Sequence, residues 1–306
     1  MPAVEPTTPS GAPAGRTSAP SVFAPDPPPP PPPGTWRAAT WNLWGHFGPD
    51  PERRLRGIEA ALRQLDADVV CLQEAYADAA ASDDARRLGE RLGRVVVRSR
   101  LRPPAGSAAG NAVLSRWPVI EEGARPLPGT NGRAGPRQAL WAVLDSPFGP
   151  LPVIATHLAY RFDESAVRQQ QLRAVLALAA GLRSDPSVDL PILLGGDLNA
   201  VPDSDEIRLL TGRSEAPVAG LVFNDCWPQV RDDPGHTWVR RNPHLANSVW
   251  PQRRLDYVLV SWPRPAPFGN PVQAFLVGDG PVEGIWPSDH LGVAVDLRGD
   301  RPVPPR

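Results

Sequence analysis

LPILLGGDLNAVPDSDEIRLL, residues 190–210, decides the architecture. Leu190 to Leu194 is an almost unbroken apolar run, the pattern of a strand buried on both faces. It ends in two glycines and the polar pair Asp197 and Asn199, after which Asp203 to Leu210 reads as a short helix. A buried strand that runs into a polar loop and then a helix is the building unit of an α/β fold. The same unit recurs on either side. Arg37 to Leu43 and Asp68 to Gln73 read as strands around a helix at Pro51 to Leu65, where Leu55, Ile58, Leu62 and Leu65 stand at helical spacing behind a proline that a first turn tolerates. A helix from Asp83 to Leu92 and strands at Val95 to Val97 and Asn111 to Leu114 follow. Gln138 to Leu144 and Leu151 to Thr156, split by SPFGP, predict a hairpin, and Ser165 to Leu182 the longest amphipathic helix. Leu255 to Ser261 and Leu291 to Leu297 are the last clear strands. Strands joined by both helices and hairpins predict one α/β (α+β) domain, a mixed sheet system covered by helices, over residues 36–300.

The first 35 residues differ in kind. Of the chain's 41 prolines, seven form the unbroken run Pro27 to Pro33, in a segment too poor in apolar surface to offset chain ordering. A disordered or extended tail is expected there, and its polyproline run is of the kind that docks on aromatic-lined partner domains. All 32 basic residues are arginine, against 33 acidic ones, for a net charge of −1. That balance argues against a strongly basic nucleic-acid wrapper. No basic segment followed by an apolar stretch opens the chain, and no apolar run is long enough to span a membrane, so a cytoplasmic, monomeric protein is expected. Two cysteines, Cys71 and Cys226, are expected to be reduced and structural.

Polar side chains collect at the ends of the buried strands, where open α/β sheets place their sites. Asn42 ends TWN, Glu74 ends CLQE, His157 ends IATH, Asp197 and Asn199 lie in GGDLN, and Asp289 and His290 lie in SDH just before a strand. Taken singly, such a residue is more often a turn former or helix cap. As a set they are chemically coherent. Glu74, Asp197 and Asp289 with the amide oxygens of Asn42 and Asn199 form a hard-oxygen donor set that suits magnesium or manganese, and no thiolate or histidine cluster accompanies them to suit zinc. His157 and His290 add proton-transfer groups that work near neutral pH, and Asp256 in RRLDYV supplies the carboxylate that orients a histidine base. Metal-assisted phosphoester hydrolysis is the reaction class this set suggests.

The ordered series TWN, LQE, GNAVLSR, THL, GGDLNAVPDS, RRLDYV and SDHLGV resembles the endonuclease/exonuclease/phosphatase (deoxyribonuclease I-like) superfamily, from about Arg37 to Leu297. The resemblance implies a four-layer α/β/β/α sandwich with its site at one end of two packed sheets. It implies Glu74 as principal metal ligand, assisted by Asn42 and Asp289, and Asp197 and Asn199 as the pair that orients water and binds a phosphate oxygen. It implies His290 as general base held by Asp256, His157 as stabiliser of phosphoryl charge, and Arg137, in PRQALWAVL, as a phosphate-binding residue. His46, His236 and His244 match no motif position and are expected to be ordinary loop histidines.

For the substrate, the resemblance implies a phosphoester and favours diesters, with nucleic acid as the leading partner. Phospholipid or sphingomyelin phosphodiesterase, phosphomonoesterase and a catalytically silent binding module are the alternatives. Trp227 to Arg254 is the most distinctive stretch, with Trp227, Trp238 and Trp250 among Arg231, Arg240, Arg241, Arg253 and Arg254. Such interleaving either stacks on bases and grips phosphates or packs a sheet edge with the arginines in water.

Overall fold

Each of the buried strands presents alternate residues to two different apolar layers, which is why its sequence shows no polar face. In the computed structural model, which describes residues 28–78, 83–98, 109–130, 134–282 and 284–300, Val69 and Cys71 face one layer while Val70 and Leu72 face another. Most of the proline-rich segment, residues 1–27, lies outside the described residues. The elements of the first half are β1 (Thr35–Asn42), α1 (Pro51–Leu65), β2 (Val69–Tyr76), α2 (Asp84–Leu92), β3 (Val95–Arg98) and β4 (Ala109–Ser115). Then come β5 (Val119–Pro128), β6 (Ala134–Ser146), β7 (Gly149–His157), α3 (Ser165–Ala180), β8 (Leu193–Asp197) and α4 (Asp205–Leu210). The chain closes with β9 (Val222–Asp225), α5 (Trp227–Val230), β10 (Asp256–Trp262), β11 (Pro271–Val277) and β12 (Gly292–Arg298).

These strands form two six-stranded sheets, ordered β11-β12-β1-β2-β4-β3 and β5-β6-β7-β8-β10-β9. Within each, one central pair is parallel, β1 with β2 and β7 with β8, and the other neighbours are antiparallel. One core lies between the sheets, where Ala38, Cys71 and Val113 meet Leu140, Ala155 and Val258. A second buries α1 and α2 on the outer face of the first sheet through Ile58, Leu62 and Leu88. The third buries α3 and α4 on the outer face of the second through Leu172, Val175 and Ile207. Three cores between successive layers make the expected α/β/β/α sandwich.

Helix boundaries follow local chemistry. Asp83 and Ser204 are caps rather than first-turn residues, their side chains accepting from the backbone N–H of Arg86 and Ile207. The apolar run at 190–194 predicts a strand that starts three residues too early, because the ladder extends instead through the glycines to Asp197. Those glycines are required by close approach. A Cβ on Gly195 would lie 2.8 Å from the Cys71 sulfur of the facing sheet, and one on Gly196 would lie 2.3 Å from the Thr156 carbonyl oxygen. Gly196→Ala is therefore expected to lower stability by about 1–3 kcal/mol, the usual cost of overpacking. An unchanged denaturant midpoint would show that β7 and β8 can part there without loss. Both cysteines are buried and free, and among the described residues no helix is long and apolar enough to cross a membrane.

Candidate active site

The parallel pairs place their C-terminal ends side by side, and the site forms there. Asn42 pairs in register with Gln73 at the end of β1 and β2, His157 with Asp197 at the end of β7 and β8, and Asp256 with Asp197 where β10 begins. Asp289 and His290 stand just before β12, which runs antiparallel beside β1. The nine residues expected from the sequence, except Asp256, line one cavity of about 1050 Å³, and Asp256 is buried behind it against His290.

Backbone distortion aims two of these residues. Glu74 adopts φ +53° at a register shift in the β2–β4 ladder, a bulge that turns its side chain out of the strand and toward the cavity. Asn199 adopts φ +48°, a conformation asparagine tolerates, and its amide donates to the Leu158 carbonyl at 3.3 Å.

Asp197 is the hub. One carboxylate oxygen accepts from the Asn199 backbone N–H at 2.9 Å, and the other accepts from the Asn42 side-chain amide at 3.0 Å. That second oxygen also faces Nε2 of His157 at 3.4 Å and Nε2 of His290 at 3.8 Å. Burial alone would push Asp197 up, but the two imidazoles and the two N–H donors hold its pKa below the ordinary carboxylate value. Asn42 uses its amide oxygen to accept from the Trp44 N–H at 3.0 Å.

The two histidines differ. His290 Nδ1 lies 2.8 Å from Asp256, and the carboxylates of Asp256 and Asp197 overcome burial to hold its pKa well above that of free imidazole. His157 Nδ1 lies 2.8 Å from the Arg137 guanidinium. Arginine can only donate, so Nδ1 is the acceptor and the proton of the neutral ring sits on Nε2, directed at Asp197. Burial, reinforced by the Arg137 charge, lowers His157 to about 3.

Glu74 and Asp289 are raised instead. Burial, then the charge of Asp289, pushes Glu74 up to about 7, and burial likewise raises Asp289. Neither forms an ion pair with arginine among the described residues. Asp197, Asp256 and His290 can also each offer one ligand atom within 4.8 Å of one another, close enough for an ion. In that trio, however, Asp256 and His290 already turn their atoms toward each other.

Several supporting residues escaped sequence reasoning. Arg54, buried in α1, donates to the carbonyls of Leu43, Gly45, Pro49 and Pro287 and so ties the loop after β1 to the loop before Ser288. Its position one turn before Ile58 on the buried helix face was the available signal. Ser288 donates to the Asn42 carbonyl at 2.7 Å and accepts from the His290 N–H at 3.1 Å. Thr237 Oγ1 accepts from the N–H groups of Leu255 and Asp256. Of the histidines expected to be ordinary loop residues, His46 stacks on Tyr76 at 3.7 Å and His244 lies against Trp44 at 4.7 Å, both half-buried.

The stretch from Trp227 to Arg254 divides between its two readings. Trp227 is buried in the core between the sheets, and Arg254 forms a buried two-bond ion pair with Asp225 at 2.8 and 2.7 Å. Trp238, Trp250 and Arg253 instead line the cavity, the Trp238 ring standing edge-on to His290 at 5.0 Å.

The sequence matches the model of the Endonuclease/Exonuclease/phosphatase family over residues 39–290. Nothing among curated protein sequences matches it. Solved structures do. An endonuclease/exonuclease/phosphatase from Beutenbergia cavernae DSM 12333 is 29% identical, with 86% of this chain and 71% of that one covered at a TM-score of 0.63. TDP2 of D. rerio complexed with single strand DNA product is 22% identical, covering 86% and 98% at 0.67. The human Nocturnin catalytic domain with bound sulfate anion is 20% identical, covering 86% and 93% at 0.61.

Proposed function

The chain belongs to the endonuclease/exonuclease/phosphatase family, and from that premise we propose that it is a divalent-metal-dependent phosphodiesterase that hydrolyses its substrate by in-line attack of water. The observation that carries this reading is the geometry around Asp197. A carboxylate pinned by two N–H donors faces two imidazoles of opposite character, inside a cavity that also holds the carboxyl groups of Glu74 and Asp289.

The donor set fits the ion. Glu74 and Asp289 are buried hard-oxygen groups whose pKa values are raised by burial and by neighbouring carboxylates, a cost that a bound cation would relieve. They would hold magnesium or manganese, with Asn42 beside them. When bound, such an ion would polarise a phosphoryl oxygen and neutralise charge that develops on it.

The remaining work belongs to the protein. Asp197 orients the water, and His290 Nε2 takes its proton once the ring itself is neutral, a form that its raised pKa shifts to higher pH. Asp256 accepts from Nδ1–H of His290, fixes the ring, and with Asp197 favours the imidazolium that forms. His157 holds its Nε2–H toward Asp197, where a phosphoryl oxygen seated beside that carboxylate would share it, and burial with the Arg137 charge favours the neutral ring. Arg137 locks that tautomer and adds a positive charge to the phosphate pocket. Asn199 supplies a further amide next to Asp197.

A diester with nucleic-acid character is the substrate this reading favours, in keeping with the D. rerio TDP2 complex with single-stranded DNA. Release of p-nitrophenol from bis-p-nitrophenyl phosphate is expected with magnesium or manganese and is expected to stop in EDTA. Turnover that survives EDTA, or none with either ion, would refute the reading; in the second case the protein is a binding module.

A further inference from the structure

The wall of the cavity beyond the catalytic groups is built from rings. Six aromatic side chains line it, Trp44, Phe47, Tyr160, Phe162, Trp238 and Trp250, in a chain that is only 7% aromatic. Among the described residues, the branched aliphatic liners are Val167 and Leu255. At the mouth, Phe162 and Trp250 stack on each other with centroids 3.5 Å apart and planes 16° from parallel, yet remain 48% and 42% exposed. Large rings left half open to water at the mouth of a cavity are a contact surface awaiting a partner.

Arg253 completes the arrangement. Its guanidinium lies 4.7 Å from the Phe162 centroid, 5.5 Å from Trp238 and 5.9 Å from Trp250. Its Nε is buried with no hydrogen-bond partner; the adjacent Arg254 has an unpartnered Nε too, but both of its terminal nitrogens are bound to Asp225. A backbone bridge between Trp238 and Arg253 holds the two side chains next to each other, and Trp238 in turn touches the His290 ring. An arginine held among rings with a free polar edge offers both a cation to a phosphate and a flat face to a planar group.

We propose that Phe162, Trp250 and Arg253 form a stacking subsite for an unpaired nucleobase next to the scissile phosphate, so that the substrate is a single-stranded or frayed nucleic acid. This rests on the phosphodiesterase reading above and adds the identity of the group beside the bond. The rim suits a base better than a lipid. Acyl chains pack on flexible aliphatic surface, which is scarce here, while planar rings and a guanidinium suit flat π-systems of any base identity. A base paired within a duplex hides its face from such a platform. The near-zero net charge also suits a short contact with one strand better than a grip along a duplex.

The test measures binding without turnover. Fluorescence anisotropy in EDTA compares a labelled short thymidine strand with a strand of equal length and charge whose residues are abasic. Because the charges match, repulsion from the carboxylates cancels in the comparison. The thymidine strand is expected to bind about tenfold tighter or more, the scale of one base–aromatic stack. Trp250→Ala and Phe162→Ala, both at exposed positions, are expected to reduce that ratio severalfold toward one, and Arg253→Gln to weaken both strands. Arg253→Lys restores the charge without the planar face and is expected to recover the abasic strand better than the thymidine strand. Equal affinity of the unaltered protein for the two strands overturns the proposal, as does tight binding to phosphatidylcholine–sphingomyelin vesicles with neither strand bound. Hydrolysis of bis-p-nitrophenyl phosphate reports the underlying reaction separately. Equal strand affinities with hydrolysis intact remove only the subsite, and a strand preference without hydrolysis removes only the proposed chemistry.

Discussion

Asp197→Asn is expected to lower kcat/KM on bis-p-nitrophenyl phosphate by at least about a hundredfold, the scale of a general acid-base contribution. The substitution keeps the side chain's shape and removes its charge. In the native site that charge is fixed by the Asn42 amide and the Asn199 N–H and faces both imidazoles. An asparagine would turn either a neutral oxygen or a competing N–H toward Asn42 and would leave water without its orienting anion. A second signature separates this from a loss of folding. His290 is held high by two carboxylates, Asp256 and Asp197. With one removed, its pKa falls, so any limb of the pH–rate profile that reports His290 moves to lower pH. Retained turnover with an unmoved profile would show that Asp197 is not the hub of the reaction.

Glu74→Gln is expected to abolish metal-dependent turnover and, without metal, to make the protein more stable at alkaline pH. Burial and the neighbouring Asp289 raise Glu74 from 4.5 to about 7 in the folded state. Between those values the folded chain keeps a proton that the unfolded chain has lost, so stability falls as pH rises across that window and stays reduced above it. The shift corresponds to about 3 kcal/mol as an upper figure, and glutamine carries no such penalty. In EDTA the variant should therefore melt above the unaltered protein at pH 8 and level with it at pH 4. Magnesium at pH 8 should raise the melting temperature of the unaltered protein and leave that of the variant in place. A variant that melts lower than the parent at pH 8 in EDTA would mean that Glu74 is a structural residue and not a strained ligand.

Both variants sit where the sequence was most legible. Asn42, Glu74, His157 and Asp197 could be picked out because each follows a run of residues buried on both faces, so a polar side chain there interrupts an apolar pattern. The strands that escaped reading, β5, β9 and β11, are sheet edges. β5 carries Glu121, Glu122 and Arg125, has prolines at 126 and 128 and is largely exposed, and β9 is four residues long. A strand with one hydrogen-bonded neighbour and one open side need not be apolar, so periodicity gives it little signal. The bulge at Glu74 and the left-handed turn at Asn199 were invisible for another reason. The bulge is set by the register of β2 against β4, and asparagine permits the turn at 199 without requiring it.

The tryptophans show where composition stops informing. Trp227 and Trp250 lie in the same Arg-rich stretch, yet one is sealed in the core with its indole N–H on the Asp233 carbonyl and the other stands at the cavity mouth. Their fates were decided by α5 turning inward beside the sheet edge and by residues 246–250 staying outside it. Phe162 and Tyr160 carried no motif at all. They gained a role only because the loop after β7 crosses the cavity rim opposite Trp250.

The segment at Thr237 and Trp238 joins parts of the molecule that could otherwise change independently. Its backbone receives the N–H of Leu291 beside His290, its hydroxyl receives the N–H of Asp256, and its indole touches both His290 and the Arg253 cluster. Divergence is thereby divided into two zones. Residues around Val249 and Trp250 can be exchanged for others, altering which molecules enter, with the proton-handling pair undisturbed. A replacement at 238 would shift the floor under His290 and reset recognition and reactivity together. New preferences in this lineage should thus accumulate first in the outer loop, with the inner bridge the last to drift.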